Sequence, residues 1–386
     1  MNVLVLDSPS FAKLDMIHAL ETCGFSCDLF YHQAIHQRRD ADFESSFGNS
    51  CKNKDYLFVF SFNYFPILAE CCHENNLKYV AYTYDSPLVS LYSYTVLYPT
   101  NYIFIFDKST YLELKNSGIS TVWYLPLAAD TNRLSSMIPT PEQKAFCTCD
   151  VSFIGSLYNE EHNLFDRLVD LPDFTRGYLE GIMAAQLEIQ GYFFLEELLT
   201  DNVLKDMKAA CEYNTQPDGV ETDAFVYANY FIARKLTSME RQSLLHKVST
   251  EFPLKLFTHK PACTIPNAQF MGTVDYYNTM PFIFYNSKIN LNITLRSIHT
   301  GIPLRAMDIL GSGGFLLTNY QEDFLDYFVP GEDFVYYENQ QDLLDKIAYY
   351  LSHEEERQQI AANGFHKMEQ HHTYVHRVKQ ILEVLN

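Results

Sequence analysis

The sequence predicts an α/β protein built from two Rossmann-like domains, and three observations carry that expectation. Short apolar, β-rich runs alternate with helical segments through the first third, and a second series of the same kind begins at Asp150. Residues Ile289–Asn319 then read as strand, polar loop, helix, glycine turn and strand without a break. Strands alternating with helices argue a parallel sheet covered on both faces. With 386 residues, 47% of them hydrophobic, the chain exceeds the roughly 100–200 residues of one domain and can fill two cores.

In chain order, the first series places strands at Val3–Asp7, Asp28–Tyr31, Tyr56–Phe62, Tyr79–Tyr84, Tyr102–Phe106 and Val122–Leu127. Helical segments such as Ala12–Thr22 and Ile67–Asn75 lie between them. Open α/β sheets bind ligands beyond the carboxyl ends of their strands. Asp7-Ser8-Pro9, Asp85-Ser86-Pro87 and Asp107 occupy such ends, so these loops are expected to face a cleft. Leu134–Cys149 is polar, carries two prolines and reads as the crossover between domains. The second series places strands at Asp150–Gly155, Pro253–Thr258, Ala268–Val274, Ile289–Thr294, Gly314–Thr318 and Asp333–Tyr337. Glu160–Thr250 has helical spacing, hardly any strand signal and too great a length for one crossover, which predicts a helical insertion. The tail reads as helices at Gln341–Leu351, Glu354–Gln370 and Tyr374–Leu382, with a break at Ala361-Ala362-Asn363-Gly364. The expected domains are therefore 1–145, then 146–370 with its insertion at about 160–250, then a helix at 371–386 packing back toward the first domain. There is no internal repeat and no low-complexity tract.

The 28 Lys and Arg against 48 Asp and Glu give a formal charge of −20. That field repels nucleic acid and bare anionic membrane, while leaving room for a local basic pocket. Nine cysteines, an odd number, are scattered without a CxxC knuckle. Reduced, buried thiols in a cytoplasmic protein are expected in preference to disulfides or a metal site. The start MNVLVLDSPS enters a strand with no basic leader or cleavage site, and no 18-residue apolar run occurs. A soluble, unprocessed protein without an integral membrane segment is expected.

The chemistry concentrates in Ile289–Asn319. Asn290, Asn292 and Thr294 alternate with Ile289, Leu291 and Ile293, and a loop carrying Arg296, His299, Thr300 and Gly301 leads into Pro303, a helix start. Helix N-termini present unpaired N–H groups and partial positive charge; with Arg296 and Arg305 beside one, a phosphate or diphosphate site is complete. A nucleotide-linked ligand is the expectation. Each residue has a plainer alternative: Arg305 in a salt bridge to Asp308 three residues on, Arg296 pinning the neighbouring loop, His299 facing solvent instead of donating to phosphate or acting in catalysis. Gly311-Ser312-Gly313-Gly314 follows the helix and reads as a turn, not a phosphate cradle. In the first domain Asp85 is the leading candidate for a base or for orienting an acceptor hydroxyl, with capping of the next helix as its rival.

Two Rossmann-like halves, a phosphate-type loop in the second and closing C-terminal helices resemble a GT-B glycosyltransferase. The second half is similar to the group 1 glycosyltransferases, in particular the CgeB-like, spore-maturation-type branch. The shared pieces there are Val151–Tyr158 (VSFIGSLY), Gly301–Arg305 (GIPLR), Asp308–Leu317 (DILGSGGFLL), Tyr349–Leu351 (YYL), Glu354–Arg357 (EEER) and His372–Arg377 (HTYVHR). In the first half they are Tyr84–Pro87 (YDSP), Phe106–Ser109 (FDKS) and Tyr124–Asp130 (YLPLAAD), so the resemblance spans nearly the whole chain.

This resemblance implies a fold of two Rossmann-like domains with a helical insertion in the second and C-terminal helices closing the cleft. It implies transfer of a sugar from a nucleotide-sugar donor to a protein or cell-surface glycan, with no metal and with retention of configuration. Asp308 takes the slot of the carboxylate that holds the ribose hydroxyls, and an Asp can accept from two vicinal hydroxyls. Thr300 stands where the family has a glutamate, which leaves His299 or Thr300 to touch the sugar or diphosphate. The resemblance also puts the Gly155-Ser156 turn near the donor phosphates, and Phe257 and His259 near the base, with a plain βα turn and aromatic core packing as the alternatives. Asp40-Ala41-Asp42 has the form of the metal-binding DxD of the other glycosyltransferase fold; it sits in a polar stretch, and no Mg²⁺ or Mn²⁺ requirement is expected. A non-catalytic scaffold in glycan assembly and a nucleotide-sugar epimerase stay open as alternative functions.

Overall fold

A computed structural model describes residues 1–52, 54–159, 163–260 and 265–386. The predicted insertion start, Glu160, and Cys263 lie outside the described residues. The chain divides into two compact units. Unit 1 comprises Met1–Ala129, Thr215–Glu221 and His372–Asn386, and unit 2 comprises Asp130–Asn214 and Thr222–His371.

Unit 1 carries β1 (Asn2–Leu6), β2 (Ser26–Phe30), β3 (Tyr56–Phe62), β4 (Tyr79–Tyr82), β5 (Asn101–Ile105) and β6 (Val122–Tyr124). They form one parallel sheet in the order β2-β1-β3-β4-β5-β6. Helices on both faces bury the central strands completely, which is why Phe58-Val59-Phe60 and Tyr79-Val80-Ala81-Tyr82 are unbroken apolar runs. Strand addition reverses direction at β1, so the switch point lies between the carboxyl ends of β1 and β3. The Thr215–Glu221 stretch joins this unit through backbone bonds: Val220 N donates to Tyr92 O at 2.7 Å and Tyr94 N to Asp218 O at 3.0 Å. Arg38 adds an ion pair to Asp218 at 3.1 Å.

Unit 2 carries β7 (Cys149–Ile154), β8 (Leu254–Phe257), β9 (Gln269–Phe270), β10 (Ser287–Asn292), β11 (Leu316–Asn319) and β12 (Val335–Tyr337). This sheet is also parallel, in the order β12-β11-β10-β7-β8-β9, and its switch point lies between β7 and β10. Asn290 and Asn292 of β10 are buried and paired. Ser152 Oγ donates to Asn290 Oδ1 at 2.9 Å, and Asn292 Nδ2 donates to Thr318 Oγ1 at 2.9 Å. The two asparagines thus tie three neighbouring strands together beneath the site. The insertion is helical, with Asp173–Leu187, Asp201–Ala210 and Ala233–Glu251 its longest helices, and a π-helical stretch at Tyr227–Ile232 precedes the last.

The stretch read as the crossover holds the end of helix Thr131–Ser136 and helix Pro141–Cys147. The second begins at a capping box, Thr140 with Gln143, and has Pro141 in its first turn. The break expected at Ala361–Gly364 is absent, because helix Glu354–His371 runs straight through it. Gly364 is there for close approach: a Cβ at that position would lie 2.4 Å from Asp333 O and 2.8 Å from a Leu310 methyl. The strand expected at Ala268–Val274 is reduced to the two residues of β9. The eight described cysteines are free, and burial pushes the Cys27 and Cys147 thiols up to about 11. Among the described residues no helix is long and apolar enough to cross a membrane.

Candidate functional site

The switch point of unit 2 is where the predicted residues come closest to forming a site. β7 and β10 are neighbours, but the chain leaves β7 toward β8 on one side and β10 toward β11 on the other. Backbone groups past their carboxyl ends therefore lose their ladder partners and need others. Gly155 N still donates to Phe257 O at 3.0 Å, one residue beyond β7. A side chain at Gly155 would crowd the Phe153 ring at 3.3 Å. Ser156 Oγ then accepts from Tyr158 N at 2.9 Å, holding Tyr158 at φ 50°, a left-handed conformation uncommon for an aromatic residue.

Arg241, from helix Ala233–Glu251, satisfies the orphaned carbonyls. Its Nη1 donates to Ser156 O at 2.6 Å, its Nε to Ile293 O at 2.9 Å, and its Nη2 to Ile293 O as well. The guanidinium lies over the Phe153 and Tyr158 rings, 5.4 and 5.0 Å from their centroids. Burial lowers its pKa, opposed by Tyr158 and Glu240, and Arg305 adds a smaller push in the same direction as burial.

Arg305 sits in the first turn of helix Leu304–Gly311, which Pro303 opens. Its guanidinium lies 5.5 Å from the Phe284 ring centroid, and Nη1 reaches the Met280 sulfur. Burial lowers its pKa, opposed by Asp308, Tyr276 and Tyr158. Among the described residues no carboxylate forms an ion pair with Arg241 or Arg305. The surface salt bridge to Asp308 is therefore not formed. Asp308, 8% exposed, accepts instead from the Tyr276 hydroxyl at 2.8 Å. Two arginines without ion pairs among the described residues, a helix start and the buried Asp308 are the ingredients that suit an anion beside a hydroxyl.

Other predicted residues have different employment. Arg296 is withdrawn from the phosphate set: its Nε and Nη2 make a bidentate pair with Glu240, both at 2.7 Å, and its Nη1 donates to Ile189 O at 2.9 Å. The pair is buried, at 8% and 6% exposure, and anchors the loop after β10 to the insertion. His299 follows the same pattern, stacked on Phe193 at 4.9 Å and 3.3 Å from Asn229 Oδ1 through Nε2. Thr300 O and Gly301 O accept from Asp323 N and Gln321 Nε2, at 3.1 and 3.2 Å, so these residues anchor their loop through carbonyls. Phe257 is corrected to a core residue. It is 1% exposed with its ring edge-on to Phe146, because strand alternation turns it inward. His259 is exposed just past β8.

In unit 1, Asp85 is exposed at the carboxyl side of β4, and its Oδ2 accepts from Asn63 Nδ2 at 2.7 Å. Asn63, at φ 60°, also accepts from the backbone N–H of Tyr84 and Asp85 through Oδ1, at 3.1 and 3.2 Å. It thus shapes the whole loop. Asp107 is fully buried and accepts from Ser86 Oγ at 3.0 Å, and Asp7 pairs with Lys13. Asp40 and Asp42 cluster with His32. Asp40 caps a helix by accepting from Phe43 N, and His32 Nδ1 accepts from Ala34 N. That bond leaves the ring proton on Nε2, facing Asp42 at 3.1 Å.

Arg241, Tyr158 and Tyr276 escaped the sequence reading. Tyr158 was legible only as the residue closing the VSFIGSLY run. Arg241 lies inside a long helix, where spacing says nothing of what an arginine will touch.

Residues 240–383 match a family model described as glycosyl transferase-like. No curated protein matches the chain in sequence. Solved structures do match in fold. Anabaena Alr3699/HepE in complex with UDP and glucose is 11% identical, with TM-score 0.53 over 100% of this chain and 99% of that one. Sucrose-phosphate synthase from Thermosynechococcus elongatus is 9% identical, with TM-score 0.55 over 100% and 99%. A UDP-forming α,α-trehalose-phosphate synthase from Burkholderia vietnamiensis is 11% identical, with TM-score 0.52 over 99% and 96%. The chain thus has the α/β fold of GT-B glycosyltransferases, with two parallel six-stranded sheets, and its residues 240–383 carry a glycosyl transferase-like segment.

Proposed function

We propose that the protein is a glycosyltransferase of the CgeB-like branch that binds a nucleotide-sugar donor at the switch point of unit 2. The observation that carries this reading is Arg305, a desolvated cation at a helix start with a thioether and a ring for partners and no ion pair among the described residues. A diphosphate supplies the missing counter-charge. Asp308, oriented by Tyr276, accepts from the ribose hydroxyls. UDP is the proposed nucleotide, because HepE, which shares the fold, has been seen with UDP and with UDP-glucose.

As the glycosidic bond breaks, negative charge grows on the departing diphosphate. Interactions that strengthen with that charge lower the barrier, and Arg305 and the first-turn N–H groups are placed to provide them. Asp85 of unit 1 is proposed to orient or deprotonate the acceptor hydroxyl, the acceptor being a protein or cell-surface glycan. Transfer is proposed to need no metal, to retain configuration and to occur in the cytoplasm.

The test is thermal shift against UDP-, GDP-, dTDP- and CMP-sugars, with and without divalent cation. A ligand that binds the folded state alone raises the midpoint by mass action. A shift with a UDP-sugar, unchanged by the cation, is expected. No shift with any of the four overturns the reading.

A further inference from the structure

Arg241 is costly to keep. It is 8% exposed and lacks an ion pair among the described residues, and burial lowers its pKa although Tyr158 and Glu240 oppose that. Burying an unpaired cation carries a penalty of several kcal/mol. A neutral side chain would avoid that penalty, but could not do what the planar fork does here. Three nitrogens reach two carbonyls, Ser156 O past β7 and Ile293 O past β10, on the two sides of the switch point. The Phe153 and Tyr158 rings fix the plane of the fork.

We propose that Arg241 is a positioning residue of the donor site: it staples the ends of β7 and β10 at a fixed spacing, so that a nucleotide diphosphate meets Arg305 without rearrangement. This rests on the donor reading above. Lysine would keep the charge but can bridge only as a point donor, so the fork and the charge can be separated. Unit 1 supplies a matched control. Arg377 is 1% exposed and likewise holds two carbonyls, donating from Nε to Pro126 O at 2.6 Å and from Nη2 to Leu127 O at 3.0 Å.

The experiment is calorimetric titration of UDP into the full chain, wild type and the variants Arg241→Lys, Arg241→Ala and Arg377→Lys, with the unfolding midpoint of each recorded. Arg241→Lys is expected to weaken UDP roughly tenfold to a hundredfold, as small misplacements of a binding group do. Arg377→Lys is expected to lower the midpoint while leaving UDP affinity within about twofold, the smallest change such a titration separates on the affinity scale. Added guanidinium is expected to restore UDP binding to Arg241→Ala, and ammonium is not. Wild-type affinity in Arg241→Lys, or an equal loss in Arg377→Lys, overturns the staple and leaves the donor reading standing. Wild-type protein that binds no UDP overturns both.

Discussion

The carboxyl edges of the two parallel sheets are built alike and have opposite character. In unit 1 the carboxyl ends of the strands gather Asp7, Asp85 and Asp107, with Lys13 and Asn63 tying two of them down. In unit 2 they gather Arg241 and Arg305, whose charges no carboxylate pairs with among the described residues. Six parallel strands determine where a ligand site lies; the residues after each strand determine what it takes. On the proposed reading, one unit activates or orients a hydroxyl and the other receives phosphate.

The comparison can be broken at its acidic side first. Asp85→Asn is expected to lower kcat by about 10²–10⁴, the usual worth of a general base, with UDP affinity unchanged; a variant that keeps its turnover removes Asp85 from the chemistry. On the basic side, Arg305→Met is expected to weaken UDP and inorganic diphosphate alike, on the order of a hundredfold by titration, as loss of a charge-assisted bond implies. Asp308→Ala sharpens the contrast within unit 2. It is expected to weaken UDP about tenfold and leave diphosphate binding intact, because the carboxylate serves the ribose. Equal losses for both ligands would mean Asp308 acts only through Arg305.

A smaller effect separates the units by stability. In unit 1, burial pushes Cys27 to about 11 and Cys71 to about 12, and burial together with Asp28 pushes Tyr56 to about 12. In unit 2, burial brings Cys147 to about 11 and Tyr227 to about 12. Each group holds its proton more tightly folded than unfolded. The stability this lends is complete below the unfolded values, 9.0 for Cys and 10.0 for Tyr, and is lost as pH rises toward 11–12. Trp123, the single tryptophan, lies in β6 of unit 1 and stacks on Tyr102. Its fluorescence is expected to change at lower pH than the far-ultraviolet signal of the whole chain; coincident transitions would show the units equally sensitive.

Most strands were legible because they are apolar runs closed by a turn, and the helix that carries Arg305 and Asp308 because Pro303 marks its start. Arg296 was misplaced because its partner, Glu240, stands 56 residues earlier, beyond the reach of any local pattern. Arg241 was invisible for the same reason, since its carbonyl acceptors come from two other elements. Asn363-Gly364 looked like a helix end because that pair usually is one. Only the folded chain shows that Gly364 clears the backbone at Asp333. Local signals gave the scaffold, and what they missed are the long-range bonds that join the insertion to the site.

Unit 1 is assembled from three separate stretches, the last of them beginning at His372. Ala129 N donates to His372 O at 3.1 Å, Arg377 grips the Pro126 and Leu127 carbonyls, and Lys78 reaches Leu385 O. The unit whose synthesis starts first is therefore completed only after every residue of the other has been made. Termination directly after residue 371 would leave unit 2 its full complement of residues, and would be felt as a lesion in the first 129.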